Sequence, residues 1–181
     1  MLLQAPRSQL LVVDIQARLM PAVADADRVV RNTLILLQAA ARLGLPVTVT
    51  EQYPKGLGAT VPAVAEALPA DAVVLPKIHF SAAADPAIAT RVASLGRPQV
   101  VIAGAEAHVC VLQTAIGLKK RGLDLFVVGD ASSSRVQASA SAAHARLLHA
   151  GIPWITTEMA VFEWLGQAGT DDFRALSALI K

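Results

Sequence analysis

Cysteine is nearly absent from this chain, with one thiol, Cys110, in 181 residues. A single thiol cannot close an internal disulfide. The opening MLLQAPRSQ also lacks the basic start and long apolar stretch of an export signal, and together these predict a reducing, cytoplasmic compartment. Charge is scarce as well: 17% of residues are charged and the net charge is +2. No basic run is present, which argues against nucleic acid as a partner. No window reaches 18 apolar residues free of charge, so no membrane span is expected. Repeats, low-complexity tails and internal linkers are missing, and the length fits one domain over residues 1–181. After the first apolar run the chain reads DIQARLM, not G-x-G-x-x-G, which removes the support for a dinucleotide site. Four histidines occur, at 79, 108, 144 and 149, and none has a partner at metal-ligand spacing. We therefore expect no metal and no cofactor.

What the chain has in abundance is apolar surface. Hydrophobic residues make up 54%, which excludes disorder and suggests surface covered by a sister subunit, as a dimer or larger homo-oligomer. Short apolar, β-branched runs read as strands at Gln9–Ile15, Pro46–Thr50, Ala72–Leu75, Gln99–Ala103, Leu125–Val128 and Pro153–Thr156. Helical spacing marks Asp25–Leu43, stopped by Gly44, and a short helix at about Val61–Leu68. Further helices are predicted at Asp85–Leu95, with Asp85 as N-cap and Pro86 following it, at Val109–Arg121, and at Gln137–Ala150. Two more are predicted near Glu158–Leu165 and Asp171–Ile180. Alternating strands and helices predict an α/β fold: a doubly wound three-layer α/β/α sandwich around a six-stranded parallel sheet of order 3-2-1-4-5-6. Its ligand crevice lies outside the carboxyl ends of strands 1 and 4.

Three chemistry-bearing residues fall on that edge. Asp14 ends strand 1, Lys77 follows strand 3, and Cys110 follows strand 4 at a predicted helix start. A thiol becomes a useful nucleophile when a helix N-terminus and an ammonium lower its pKa, and Cys110 is placed to have both. Asp14 is placed to move the thiol proton as general base and acid. Taken singly, each residue has a bland reading: a core cysteine, a turn-capping aspartate, a solvated lysine. Their convergence on one edge favours a site. Gln16, Tyr53, Phe80 and His108 neighbour these positions or the covering loop EQYPKGLGATVP, and are candidates to line a pocket for a small-molecule substrate. Asp130 is expected to cap the SSSR turn that follows it, and Thr114 to pack or bond back to its own helix.

The segments LLVVDIQ around Asp14, LPKIHFSA around Lys77 and AGAEAHVCVLQTA around Cys110 resemble the three signature segments of the isochorismatase-like cysteine hydrolases. The resemblance covers nearly the whole chain, and the loop EQYPKGLGATVP is most similar to the small isochorismatase-domain proteins. It implies an Asp–Lys–Cys triad at Asp14, Lys77 and Cys110. It also implies a cis peptide at Ala105–Glu106 that aims backbone N–H groups of Glu106 and Cys110 at a substrate oxygen. Nicotinamidases of that superfamily carry an Asp-x-His metal element after strand 2. This chain has Glu51, Gln52 and Tyr53 there, which argues against nicotinamidase activity. The expected activity is attack on an amide, carbamoyl or related carbon through a thioester-type intermediate. The alternatives are a non-catalytic oligomeric binding protein and an isochorismatase-type ether hydrolase.

Overall fold

The structure is a computed structural model that describes residues 1–180. Six strands, β1 (Ser8–Val13), β2 (Val47–Gln52), β3 (Val73–Lys77), β4 (Gln99–Ala105), β5 (Asp124–Ser133) and β6 (Trp154–Ile155), form one sheet in the order β3-β2-β1-β4-β5-β6. Every neighbouring pair is parallel. The expected doubly wound sheet is therefore the observed one.

Both faces of the sheet are covered, and the period-2 alternation of β1 shows how. Leu10 and Val12 point into a layer built by α1 (Ala26–Leu43), α7 (Thr157–Leu165) and α8 (Asp171–Ser177), against Leu36, Leu37, Val161 and Leu176. Leu11 and Val13 point into the opposite layer of α4 (Pro86–Ser94), α5 (Leu112–Lys119) and α6 (Gln137–His149), against Ile88, Val92, Leu118 and Leu147. A strand buried on both faces needs apolar residues at every position, which is why β1 and β4 read as continuous apolar runs. Asp85 caps α4 as expected, its carboxylate accepting from the N–H groups of Ala87 and Ile88, with Pro86 in the first turn. Among the described residues no helix is long and apolar enough to cross a membrane.

The structure departs from the sequence-based boundaries where polar residues continue a strand. β2 runs on to Gln52 and β3 to Lys77, paired Glu51 with Pro76 and Gln52 with Lys77. Pro76 is tolerated because β3 is an edge strand, so the missing donor breaks no second ladder. The short helices α2 (Pro54–Leu57) and α3 (Pro62–Glu66) follow, α2 inside a segment expected to be irregular. β5 is ten residues long, against an expected four, because Gly129–Ser133 rejoins β4 beyond an irregularity in the ladder. Asp130 does not cap the SSSR turn. Its Oδ1 accepts from the N–H and hydroxyl of Thr157, each at 2.8 Å, tying β5 to the start of α7.

Glycine is required where β1 and β4 diverge. Gly104 has φ +138°, and a Cβ there would lie 2.0 Å from the Val13 carbonyl oxygen. The switch point therefore brings two backbones together at a distance only glycine permits.

Candidate active site

The carboxyl ends of β1, β2, β3 and β4 enclose a buried polar cluster. Asp14 follows β1 in the left-handed region, φ 53°. That conformation is uncommon for a residue with a Cβ, and aspartate tolerates it better than most. Its N–H donates to the Thr50 carbonyl at 3.0 Å, so the β1–β2 ladder holds the turn. The carboxylate is fully buried. Oδ2 accepts from Lys77 Nζ at 2.7 Å and Oδ1 from Thr50 Oγ1 at 2.7 Å, and the buried Cys110 thiol lies near enough for the Asp14 and Lys77 charges both to act on it. Lys77 is 2% exposed and its ammonium has two further acceptors, Gln52 Oε1 at 2.7 Å and the Phe80 carbonyl at 3.2 Å. Asp14, Lys77 and Cys110, scattered over nearly a hundred residues of sequence, thus share one pocket of contacts.

Cys110 does not sit at the first turn of an α-helix. It lies in a wide turn, Ala107–Val111, bonded from residue i+5 to residue i: Val111 N–H reaches Glu106 O at 3.2 Å, and Leu112 N–H reaches Ala107 O. Helix α5 begins only at Leu112 and ends at Lys119, inside the expected Val109–Arg121. Such one-turn widenings recur at functional sites because they re-aim a side chain without breaking the helix. The peptide bond Ala105–Glu106, immediately before this turn, is cis.

The electrostatics correct one expectation. Burial pushes the Cys110 thiol up to about 12, the Asp14 charge adds to the rise, and Lys77 only opposes it in part. Cys110 is 6% exposed, and desolvation outweighs the stabilisation of a thiolate by an adjacent ammonium. Burial also raises the Asp14 carboxyl above its ordinary range, against the opposing pull of Lys77, Thr50 and the thiol. At neutral pH Cys110 therefore rests as the thiol, not as a preformed thiolate. Iodoacetamide should accordingly label Cys110 at pH 7 at least about tenfold more slowly than a free thiol of pKa about 8.5, with the rate rising only above pH 9. Rapid labelling at pH 6.5 would show a preformed thiolate instead.

The neighbouring candidates divide. Gln16, expected to line the crevice, is fully buried and serves as a clip. Its Nε2 donates to the carbonyls of Gln52 (3.0 Å) and Gly58 (2.6 Å), and its Oε1 accepts from Gln52 N–H at 2.7 Å. Both ends of its amide are occupied by backbone. Tyr53 and Phe80 stand at the rim, 52% and 55% exposed. His108 Nδ1 bonds Ser134 Oγ at 2.9 Å, and His108 helps line a groove of about 300 Å³ with Ser81, Leu112, Gln113 and Arg146. The Glu106 carboxylate pairs with Arg135 Nε at 2.9 Å, while Ala105 is fully buried at the end of β4. Thr114, expected to pack or bond back to its helix, is fully buried and accepts from Ala82 N–H at 2.9 Å.

Thr50 and Gln52 are site residues that the sequence reading did not single out. Their signal was present: they alternate around Glu51 at the carboxyl end of β2, so both project to one face of the same sheet edge. No group of three or more His, Cys, Asp or Glu that could hold a metal occurs among the described residues. At the end of β2 the Gln52 side chain is occupied by Lys77 and by the Ile78 carbonyl, so these residues do not fit the metal element of nicotinamidases.

The isochorismatase domain model matches residues 8–159. The chain belongs to the isochorismatase family. Isochorismatase domain-containing protein 2 of Danio rerio is 37% identical over 175 residues, 96% of this chain and 86% of that protein. Among solved structures, the MAR1 ribonuclease of Caenorhabditis elegans superposes with a TM-score of 0.93 at 34% identity, covering 99% of this chain and 92% of that one. YcaC of Pseudomonas aeruginosa, in a structure with covalent acrylamide, gives 0.91 at 27% identity over 98% and 91% of the two chains. YcaC of Escherichia coli, an octameric hydrolase of unknown specificity, gives 0.91 at 26% identity over 98% and 90%. The family assignment makes this chain an isochorismatase-like hydrolase.

Proposed function

We propose that this hydrolase is a cofactor-independent cysteine enzyme acting on a small amide, carbamoyl or related C–N substrate. The observation that carries the reading is the Asp14 carboxylate, held in a fully buried position by the Lys77 ammonium and the Thr50 hydroxyl, with the Cys110 thiol within reach of its charge. That is the arrangement of a base fixed beside the proton it must take. Because the thiol rests protonated, deprotonation accompanies attack. The Cys110 Sγ–H proton passes to Asp14 as sulfur bonds the carbonyl carbon, and the C=O electron pair moves onto oxygen. Backbone N–H groups of Glu106 and Cys110 are the donors we assign to that oxyanion. Collapse breaks the C–N bond, and the leaving nitrogen takes the proton from Asp14. Water then attacks the thioester and gives a proton to Asp14. The sulfur leaves and recovers that proton. Lys77 stays an ammonium throughout, as the counter-charge that keeps Asp14 able to accept.

Covalent acrylamide in the P. aeruginosa YcaC structure supports the nucleophile part of the reading, since acrylamide is an electrophilic alkene that captures a reactive nucleophile. We also infer a homo-oligomer, on the exposed apolar residues Val74, Ile78 and Phe80 along and just beyond edge strand β3 and on the octameric state of E. coli YcaC. The compartment we assign is the cytosol, where a lone thiol stays reduced. A panel of small primary amides, carbamoyl compounds, esters, a vinyl ether and RNA, scored for ammonia, acid, ether-cleavage and oligonucleotide products, tests the function. Stoichiometric ammonia from at least one amide or carbamoyl compound is expected. Turnover confined to RNA or to an ether substrate would replace this reading.

A further inference from the structure

Gln52 ends β2 beside Lys77 and is 8% exposed. Its Oε1 accepts from Lys77 Nζ at 2.7 Å and its Nε2 donates to the Ile78 carbonyl at 2.7 Å. The two partners fix the orientation of the amide, because an ammonium can only donate and a carbonyl can only accept. Its main chain is fixed as well, since Gln52 N–H and C=O both bond the buried Gln16 side chain. The amide oxygen is therefore presented from a support with little freedom. The ammonium it meets has three protons and three acceptors: Asp14, Gln52 and the Phe80 carbonyl. Of these only Gln52 and Asp14 are side chains, and they approach at the same short distance.

We propose that Gln52 is a positioning residue for the triad, resting on the cysteine-hydrolase reading above. It acts through Lys77, not on the substrate. By supplying the second side-chain acceptor it holds the ammonium as a charge in a dry site and sets where that charge stands relative to the Asp14 carboxylate. The groups that meet in this cluster are Asp14 from β1, Lys77 from β3 and the Cys110 thiol from the wide turn, with the uncharged Thr50 and Gln52 from β2. Without the amide oxygen the buried ammonium has one polar partner fewer, and the carboxylate is a weaker acid beside a less well-held counter-charge.

The test replaces Gln52 by methionine, similar in length and without polar atoms. The carboxyl carbon of Asp14 is followed by ¹³C NMR against pH in substrate-free protein, alongside kcat and KM for the amide found in the panel. The Asp14 titration is expected to move up by about one pH unit, a tenfold change in proton affinity. The acid limb of kcat/KM should move with it, kcat should fall about tenfold near that limb, and KM should stay within about twofold. Gln52→Asn keeps the amide but is one methylene shorter, so its oxygen no longer reaches Lys77 and the Asp14 titration should rise in the same way. It serves as the probe if Gln52→Met does not fold. A folded variant that melts earlier, yet leaves the Asp14 titration and the acid limb where they were, overturns the proposal and makes Gln52 a structural strut. The NMR arm needs no turnover. Failure of the cysteine-hydrolase reading shows separately, as wild-type activity that survives removal of the Cys110 sulfur.

Discussion

Cys110→Ala is expected to reduce kcat on the panel substrate by about 10⁴ or more, to the level left by binding and oxyanion donors alone. The thiol sulfur is the best-placed nucleophile in the cluster, because Lys77 Nζ is taken up by three acceptors and the Thr50 hydroxyl donates to Asp14. Asp14 is held by Lys77 and Thr50 with both oxygens engaged, which places it to move a proton and not to attack. The fold should survive the change. Removing one buried sulfur costs on the order of 1 kcal/mol, and Asp14 keeps its two partners. Equal melting temperatures within a few degrees, with activity gone, is the expected pair of results from calorimetry and the ammonia assay. Cys110→Ser should fail nearly as completely. A hydroxyl is a far weaker acid than a thiol, and a buried carboxylate is too weak a base to remove its proton.

Lys77→Met should have the largest effect on stability. Both side chains of the Lys77–Asp14 pair are 0% exposed. Removing the cation leaves a buried carboxylate without its counter-charge, which costs about 3–5 kcal/mol. For a chain of this length that is a fall of roughly 10 °C in melting temperature. The deficit has a definite pH dependence. Asp14 already has its folded-state pKa raised by burial, and Lys77 is what opposes that rise. Without Lys77 the raise is larger. A raised carboxyl favours the folded state fully only below its unfolded value, and the benefit is lost as pH climbs through the folded value. The variant should therefore sit nearest wild type in mild acid and fall furthest behind at pH 7–8. Adding Asp14→Asn to Lys77→Met removes the orphaned charge and should recover at least half of the loss. If the double variant is worse than Lys77→Met alone, Asp14 contributes through packing and hydrogen bonding more than through its charge.

The sheet and its switch point were legible because burial leaves a plain trace in sequence. β1 and β4 lie between two helical layers, so after their polar first residues each is an unbroken apolar run, Leu10–Val13 and Val100–Ala105. The same trace located the edge on which Asp14, Lys77 and Cys110 meet. What was not legible involves polar residues inside regular structure. Asp130 read as the cap of a turn beginning at Ser132, yet both residues extend β5 because its ladder to β4 resumes after an irregularity. The wide turn at Ala107–Val111 leaves no mark, since VCVLQTA continues the helical apolar pattern through it. Thr50 looked like a strand-end polar residue and Gln52 like part of the covering loop, although they supply the other side-chain hydrogen bonds of the Asp14–Lys77 pair. The thiol's pKa was misjudged for a related reason. Spacing can name a nearby ammonium, but it cannot say how deep a sulfur lies, and here depth decides the sign.

The central claim is that Cys110 bonds the substrate carbon. Acid-quenching the enzyme during steady-state turnover and measuring the intact protein mass tests it most directly, with peptide mapping to place the adduct. The expected result is a mass increase equal to the acyl part of the substrate, on Cys110, lost in Cys110→Ala and discharged by hydroxylamine. Turnover at wild-type rate with no adduct at any quench time, and with activity retained in Cys110→Ala, would contradict the account.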